Sequence, residues 1–203
     1  MIHAIILLAA YVVDRLIGDP RSLPHPVIYM GKCITWLERR IRADIVDPRT
    51  LKTAGVLLPM ALVGGSYLIV WLILKGSALI HPWLSWGIEA WLISTTIAAK
   101  GLADAGLNIQ KRLESGELRE ARAALAMVVG RDTASLDQRE ISRAAVETVA
   151  ENIVDAVVSP LFYAAIGGAP LAMAYRAVNT LDAMVGYKNE RYEHLGWASA
   201  RLD

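Results

Sequence analysis

Cysteine is all but missing from this chain. Cys33 stands alone, which excludes an intrachain disulfide framework and any zinc site built on several thiolates. It reads as a small packing residue. An excess of charge of one sign is missing too: the formal net charge is +1. No basic stripe with interleaved aromatics is present, so nothing points to a nucleic-acid partner. The histidines His3, His25, His81 and His194 are scattered and form no HxxxH or HExxH pair. There is no Walker A loop, no GxGxxG, no CxxC and no defensible Ser/His/Asp order. No internal repeat and no low-complexity tract is found.

What the chain has in quantity is apolar surface. Of its 203 residues 55% are hydrophobic and 20% charged, and the mean hydropathy is +0.37. That is too apolar for an ordinary soluble domain and too charged for a bare membrane bundle. An all-α, polytopic integral membrane protein with sizeable polar segments fits both values.

Residues 1–17 are apolar except for His3, Asp14 and Arg15, with no small-residue cleavage site after them, and read as a short first membrane helix or an anchor. The loop that follows holds Asp19 before Pro20, then Leu23-Pro24-His25-Pro26, where two prolines stiffen the backbone around a histidine. From Pro26 to about Ile45 the pattern predicts an amphipathic helix with Val27, Met30, Ile34, Leu37 and Ile41 inward. Residues 54–74 carry no charge and form the clearest span, since about 20 apolar residues cross the hydrocarbon core. Residues 83–99 form a second candidate span. Glu89 lies inside it, either as a functional carboxylate or as one near enough to the surface to be solvated.

Segment 32–52 carries Lys32, Arg39, Arg40, Arg42, Arg49 and Lys52, whereas 75–82 carries only Lys75. The positive-inside rule places 18–53 in the cytoplasm, and the polar segment 100–153 there as well. That segment reads as two amphipathic helices broken at Ser115-Gly116, then a turn at 130–133. A new helix is expected from the capping box Ser135…Gln138. Residues 154–175 are apolar but interrupted by Pro160, Gly167-Gly168 and Pro170. A single crossing would put the cationic tail 176–203 outside, so a broken, re-entrant segment is the preferred reading. All of this forms one membrane domain, 1–203.

Glu147, Glu151 and Asp155 are spaced by four and share one helix face, extended backwards by Arg143 and Arg139. Adjacent acids on one face repel by a few tenths of a kcal/mol. The column is therefore either a cation site or a solvated face on which Arg143 pairs with Glu147. With Asn152, Asn179, Asp182 and the cations Arg131, Arg176, Lys188 and Arg191, the inventory suits Mg²⁺ and phosphate. A salt-bridged interface between polar helices would use the same residue types.

Several motifs, read together, are more specific. The stretch Asp14-Arg-Leu-Ile-Gly-Asp-Pro-Arg-Ser-Leu-Pro-His-Pro-Val-Ile-Tyr-Met-Gly31 resembles the opening signature of the CbiB/CobD family of cobalamin biosynthesis. Val129-Gly-Arg-Asp-Thr133, Glu147-Thr-Val-Ala-Glu-Asn152 with Asp155, and Ser159-Pro-Leu-Phe162 resemble its central motifs. Gly167-Gly-Ala-Pro170, Tyr175-Arg-Ala-Val-Asn-Thr-Leu-Asp182, Met184-Val-Gly-Tyr187 and Ala200-Arg-Leu-Asp203 follow in the family's order.

The resemblance implies a multi-pass protein of the cell (inner) membrane, an adenosylcobinamide-phosphate synthase with its active face cytoplasmic. Its reaction joins aminopropanol or its phosphate to a propionate of adenosylcobyric acid, with ATP and Mg²⁺. Its partners would be the corrinoid, the amine, the lipid bilayer and other cobalamin-assembly membrane proteins. Family chains usually continue beyond the last residue here.

Individual roles follow from spacing and charge. Glu147, Glu151, Asp155, Asn179 and Asp182 are assigned to Mg²⁺. Arg131, Arg176, Lys188 and Arg191 are assigned to phosphate. Asp14, Asp19, His25 and Asn152 are assigned to the chemistry: Asp14 and Asp19 to orient the amine or support the metal, and His25 as a base or merely a loop histidine. A non-catalytic membrane sensor or corrinoid-binding subunit is the alternative, and a transporter, suggested by Glu89, a weaker third.

Overall fold

The structure is a computed structural model that describes residues 2–18 and 25–203; Asp19 falls outside the described residues. Among these, every regular element is helical and none is a strand, in line with the all-α class.

The order is α1 (Ile2–Ile17), α2 (Pro26–Asp44), α3 (Pro48–Ile80), α4 (Pro82–Ser94), α5 (Ala99–Glu114), α6 (Leu118–Ala126), α7 (Gln138–Ile153), a π-helical stretch Val154–Val158, α8 (Ser159–Val185) and α9 (Trp197–Leu202). Three of these helices open by the same device. His25, Asp47 and His81 each cap a helix whose first residue is proline, where the missing N–H costs nothing. The caps accept from Val27 N (3.3 Å), Thr50 N (2.9 Å) and Trp83 N (3.2 Å). His25, a candidate base, is therefore engaged through Nδ1 as a helix cap.

The expected capping box is two residues out. Asp137, not Ser135, caps α7: Glu140 N donates to its carboxylate and Asp137 N donates back to Glu140, both at 2.8 Å. Both frames satisfy the motif, and the one with a carboxylate at each end provides the charge-assisted pair.

Two helical runs, Pro48–Ile80 and Gln138–Val185, are long and apolar enough to cross a membrane. α3 contains the expected 54–74 span. Only 22% of its most apolar window is buried in the protein, so its outward Leu68, Ile69, Leu72 and Ile73 are not explained by core packing. The second expected span is shorter than read. Only 82–94 are helical, about 20 Å against a hydrocarbon core of about 30 Å. Ser94, Thr95 and Thr96 close α4 by donating to the carbonyls three residues back at 2.7 Å.

The principal core joins α1, α2, α3, α4 and α8 around Ile34, Leu58, Ile93, Ile97 and Leu181. A smaller core of Ile109, Ala121, Leu125, Ile141 and Ala144 binds α5, α6 and α7 into a separate polar module. α5 lacks a capping side chain of its own. Buried Asp14 of α1 supplies one, accepting from Lys100 N at 3.2 Å, while Lys100 Nζ donates to the last carbonyls of α1 at Leu16 (3.0 Å) and Ile17 (3.2 Å). A carboxylate at a helix start and an ammonium at a helix end both suit the macrodipole.

The tail is anchored to α2 by Glu38, which is only 6% exposed. It accepts from Arg191 Nη2 at 2.9 Å and Nε at 3.1 Å, and from Arg42 Nε at 3.1 Å. Removing a buried charged acceptor strands its donors. Glu38→Ala is expected to lower the thermal midpoint in detergent by roughly 2–6 °C. An unchanged midpoint would show that the pair does not hold the tail.

Candidate active site

α7 begins at its Asp137 cap and presents Glu147 and Glu151 on one exposed face. Glu147 is bracketed by two guanidiniums, Arg143 Nε at 2.7 Å and Arg131 Nη2 at 3.4 Å. Asn152 Nδ2 donates to its own helix, at Thr148 O (2.8 Å). Arg131, Glu147, Glu151 and Asn152 line a shallow polar depression of about 290 Å³.

Asp155 leaves this column. The helix widens to π geometry at Val154, which changes the turn per residue between Glu151 and Asp155. Further on, α8 is not one rod. Gly167 (φ −135°, ψ 18°) and Gly168 (φ 67°, ψ −162°) are non-helical, the latter in a region essentially reserved for glycine. Across this break Tyr163 and Tyr175 stack with ring centroids 4.8 Å apart, and Tyr175 Oη donates to Asp155 at 3.2 Å. In a straight helix residues twelve apart would lie about 18 Å from each other. The chain therefore doubles back at the glycine pair.

The return brings Asp155 and Asp182 each within electrostatic reach of Asp203. Burial, and after it the charges of Asp182 and Asp155, hold the Asp203 carboxyl above the usual carboxylate range. Asp182 adjoins the turn out of α8, where a methyl on Gly186 would overlap its carboxylate. From that turn the tail encloses a cavity of about 730 Å³ lined by Tyr187, Lys188, Tyr192, Trp197 and Arg201 among others. Carboxylates and cations thus adjoin at one end of α8.

The expected site residues divide accordingly. Glu147, Glu151, Asn152 and Arg131 share the depression on α7. Asp155 and Asp182 gather with Asp203 at the foot of α8. Asn179 and Arg176 are half-buried in the second half of α8, and Lys188 faces the tail cavity. Arg191 is drawn off by Glu38, whose hydrogen bonds and charge raise its pKa above the ordinary arginine value. Asp14 caps α5, and Glu89 abuts Gly168, half-buried. Among the described residues no three His, Cys, Asp or Glu side chains form a ready-made metal cluster. Mg²⁺ does not require one, because one or two carboxylates suffice when water and substrate phosphates complete its octahedron. Asp155 and Asp182, beside an Asp203 whose carboxyl already senses their negative charge, fit that demand.

Residue-by-residue reasoning overlooked Glu38, Tyr175, Arg201 and Asp203. Glu38 had a signal: it occupies the inward stripe Met30, Ile34, Glu38, Ile41, where a carboxylate must find a partner. The others lie within the motifs quoted for the resemblance.

The model of the family described as CobD/Cbib protein matches residues 7–203. The chain belongs to the CobD/CbiB family. Among members, the cobalamin biosynthesis protein CbiB of Salmonella typhimurium is 46% identical over 194 residues, 96% of this chain and 61% of that protein. Cobalamin biosynthesis protein CobD of Photorhabdus laumondii is 48% identical over 195 residues, with the same shares of each chain. CobD of Citrobacter koseri is 45% identical over 194 residues. The chain thus spans 61% of the length of these CobD/CbiB relatives. No solved structure matches it.

Proposed function

We propose that this chain acts in cobalamin biosynthesis, in an ATP-using amide ligation at the cytoplasmic face of a membrane. The observation that carries this reading is the family match over residues 7–203, whose members are named for that pathway. The adjoining aspartates and cations at the foot of α8 support the chemistry.

In the proposed reaction a propionate oxygen of adenosylcobyric acid attacks the γ-phosphorus of ATP, and the bond to the ADP oxygen breaks. The nitrogen of aminopropanol, or of its phosphate, then attacks the acyl carbon. Inorganic phosphate leaves, and the nitrogen loses a proton to give the amide. Lys188 and Arg201 would hold phosphate oxygens, and cations aimed at developing negative charge lower such barriers. Tyr175, by donating to Asp155, fixes that carboxylate in place. Mg²⁺, held by Asp155 and Asp182, would supply neutralisation of the phosphate charge.

Trapping decides between this route and one without an activated acyl group. With hydroxylamine in place of the amine, an ATP-dependent hydroxamate of adenosylcobyric acid is expected. Amide formation with no trapped hydroxamate would sink the acyl-phosphate step. The alternative reading is a non-catalytic membrane sensor or corrinoid-binding subunit. ATP hydrolysis that requires both corrinoid and amine separates the two.

A further inference from the structure

α2 packs inward through Met30, Ile34, Glu38 and Ile41. Its outer side is not an ordinary solvated face. Ile28, Tyr29, Lys32, Trp36, Arg39 and Arg40 are all exposed, and at about 100° per residue they fall within an arc of about 120°. The arc holds three cations, two aromatic rings and an isoleucine, and no carboxylate. The two acids of α2 lie elsewhere. Glu38 is buried against Arg42 and Arg191, and Asp44, the last residue of the helix, falls outside the arc. Lys32 Nζ sits 5.6 Å from the centre of the Tyr29 ring, and the Arg40 guanidinium 5.7 Å from that of Trp36. Cations seated on aromatic faces keep the charge outermost over an apolar base.

Tyr29 is also the hinge between this face and an apolar groove. The groove, about 520 Å³, runs between α2 and α3 and is walled by Cys33, Ile69, Ile73, Trp91 and Met173 among others. From Leu62 to Ile73 it follows α3 for about 16 Å. A cationic face that adjoins an apolar groove at Tyr29 is complementary to an amphiphile with a negative head.

We infer that this face holds an anionic phospholipid, with its headgroup on Lys32, Arg39 and Arg40 and an acyl chain in the groove. The inference goes beyond the proposed reaction and rests only on the chain residing in a bilayer.

The test is native mass spectrometry of the full chain released from detergent, challenged with phosphatidylglycerol, phosphatidylcholine or inorganic phosphate. Phosphatidylglycerol should be retained preferentially. A basic residue at an anionic surface strengthens binding roughly fivefold, so the triple variant Lys32→Gln, Arg39→Gln, Arg40→Gln should lose on the order of a hundredfold in that preference. Equal retention of the two lipids by the unaltered chain overturns the inference. So does displacement of the lipid by inorganic phosphate, or a triple variant that keeps the preference with its helicity intact by circular dichroism. If the triple variant does not fold, Ile69→Trp fills the groove and leaves the cations; undiminished lipid retention by that variant also overturns it. A chain that stays monodisperse without detergent overturns the inference together with the membrane reading, whereas equal lipid retention overturns the inference alone.

Discussion

Asp182→Asn is expected to reduce ATP-dependent amide formation about 100- to 1000-fold, the scale on which removing one electrostatic contributor to a reacting site acts. The substitution keeps the side chain's size and removes its charge. Asp182 lies where the α8 return, the turn at Gly186 and the tail cavity meet. Asp155→Asn should behave alike, since Tyr175 Oη can still donate to the remaining amide oxygen while the charge is lost. Glu151→Gln provides the contrast. Glu151 sits in the α7 depression with Arg131, and its loss should cost less than tenfold if the reacting site is at the foot of α8. Amide synthesis from adenosylcobyric acid, followed for the three variants at equal membrane content, decides. Full activity in Asp182→Asn, with Glu151→Gln inactive, would move the site to α7.

The second large effect is structural. A methyl on Gly196 would overlap the carbonyl oxygen of Val185, and one on Gly55 would overlap that of Leu195. Both obstacles are backbone, so no side-chain rotation relieves them. Forcing extra atoms into such packing costs about 1–3 kcal/mol and occasionally more. Gly196→Ala should lower the thermal midpoint by roughly 2–12 °C. It should also spoil the tail cavity, because residues 186–196 are held between α3 and α8 by these two contacts. Gly64→Ala is the control: its Cβ would meet nothing within 4 Å, and the midpoint should stay within about 2 °C. A midpoint for Gly196→Ala equal to that of the unaltered chain would mean that the close approach is not real.

Much of this architecture could be read from local pattern, and the parts that could not share a cause. The apolar length of 54–74 announced α3, and Ser115-Gly116 announced the break before α6, where Gly116 takes φ +74°. The interruptions by Gly167-Gly168 and Pro170 announced that 154–175 could not be one straight helix. Asp14, by contrast, reads as a site residue in its motif, yet its observed partner is a backbone N–H 86 positions away. Arg191 likewise offers a phosphate-binding guanidinium in sequence, and only the packing of the tail against α2, 153 positions apart, shows Glu38 holding it. Charge and spacing identify residues able to bind a ligand. They do not reveal which of those residues the fold has already engaged. The acidic column illustrates the same limit from within one helix: Glu147 carries both of its arginine partners, while Asp155, beyond the π-helical turn, accepts from Tyr175 and bears on Asp203.

The reversal at Gly167-Gly168 has a counting consequence. A segment whose two legs run antiparallel contributes an even number of passes, none if both legs stay at one depth and two if both traverse. Parity is the same in either case. We infer that, in a bilayer, the polar module that precedes the reversal and the tail that follows it would share one compartment, whatever depth the apex reaches. On that reading a single glycine step would set the sidedness of Lys188 and Arg201, which hydrophobic length alone would have placed on the opposite side.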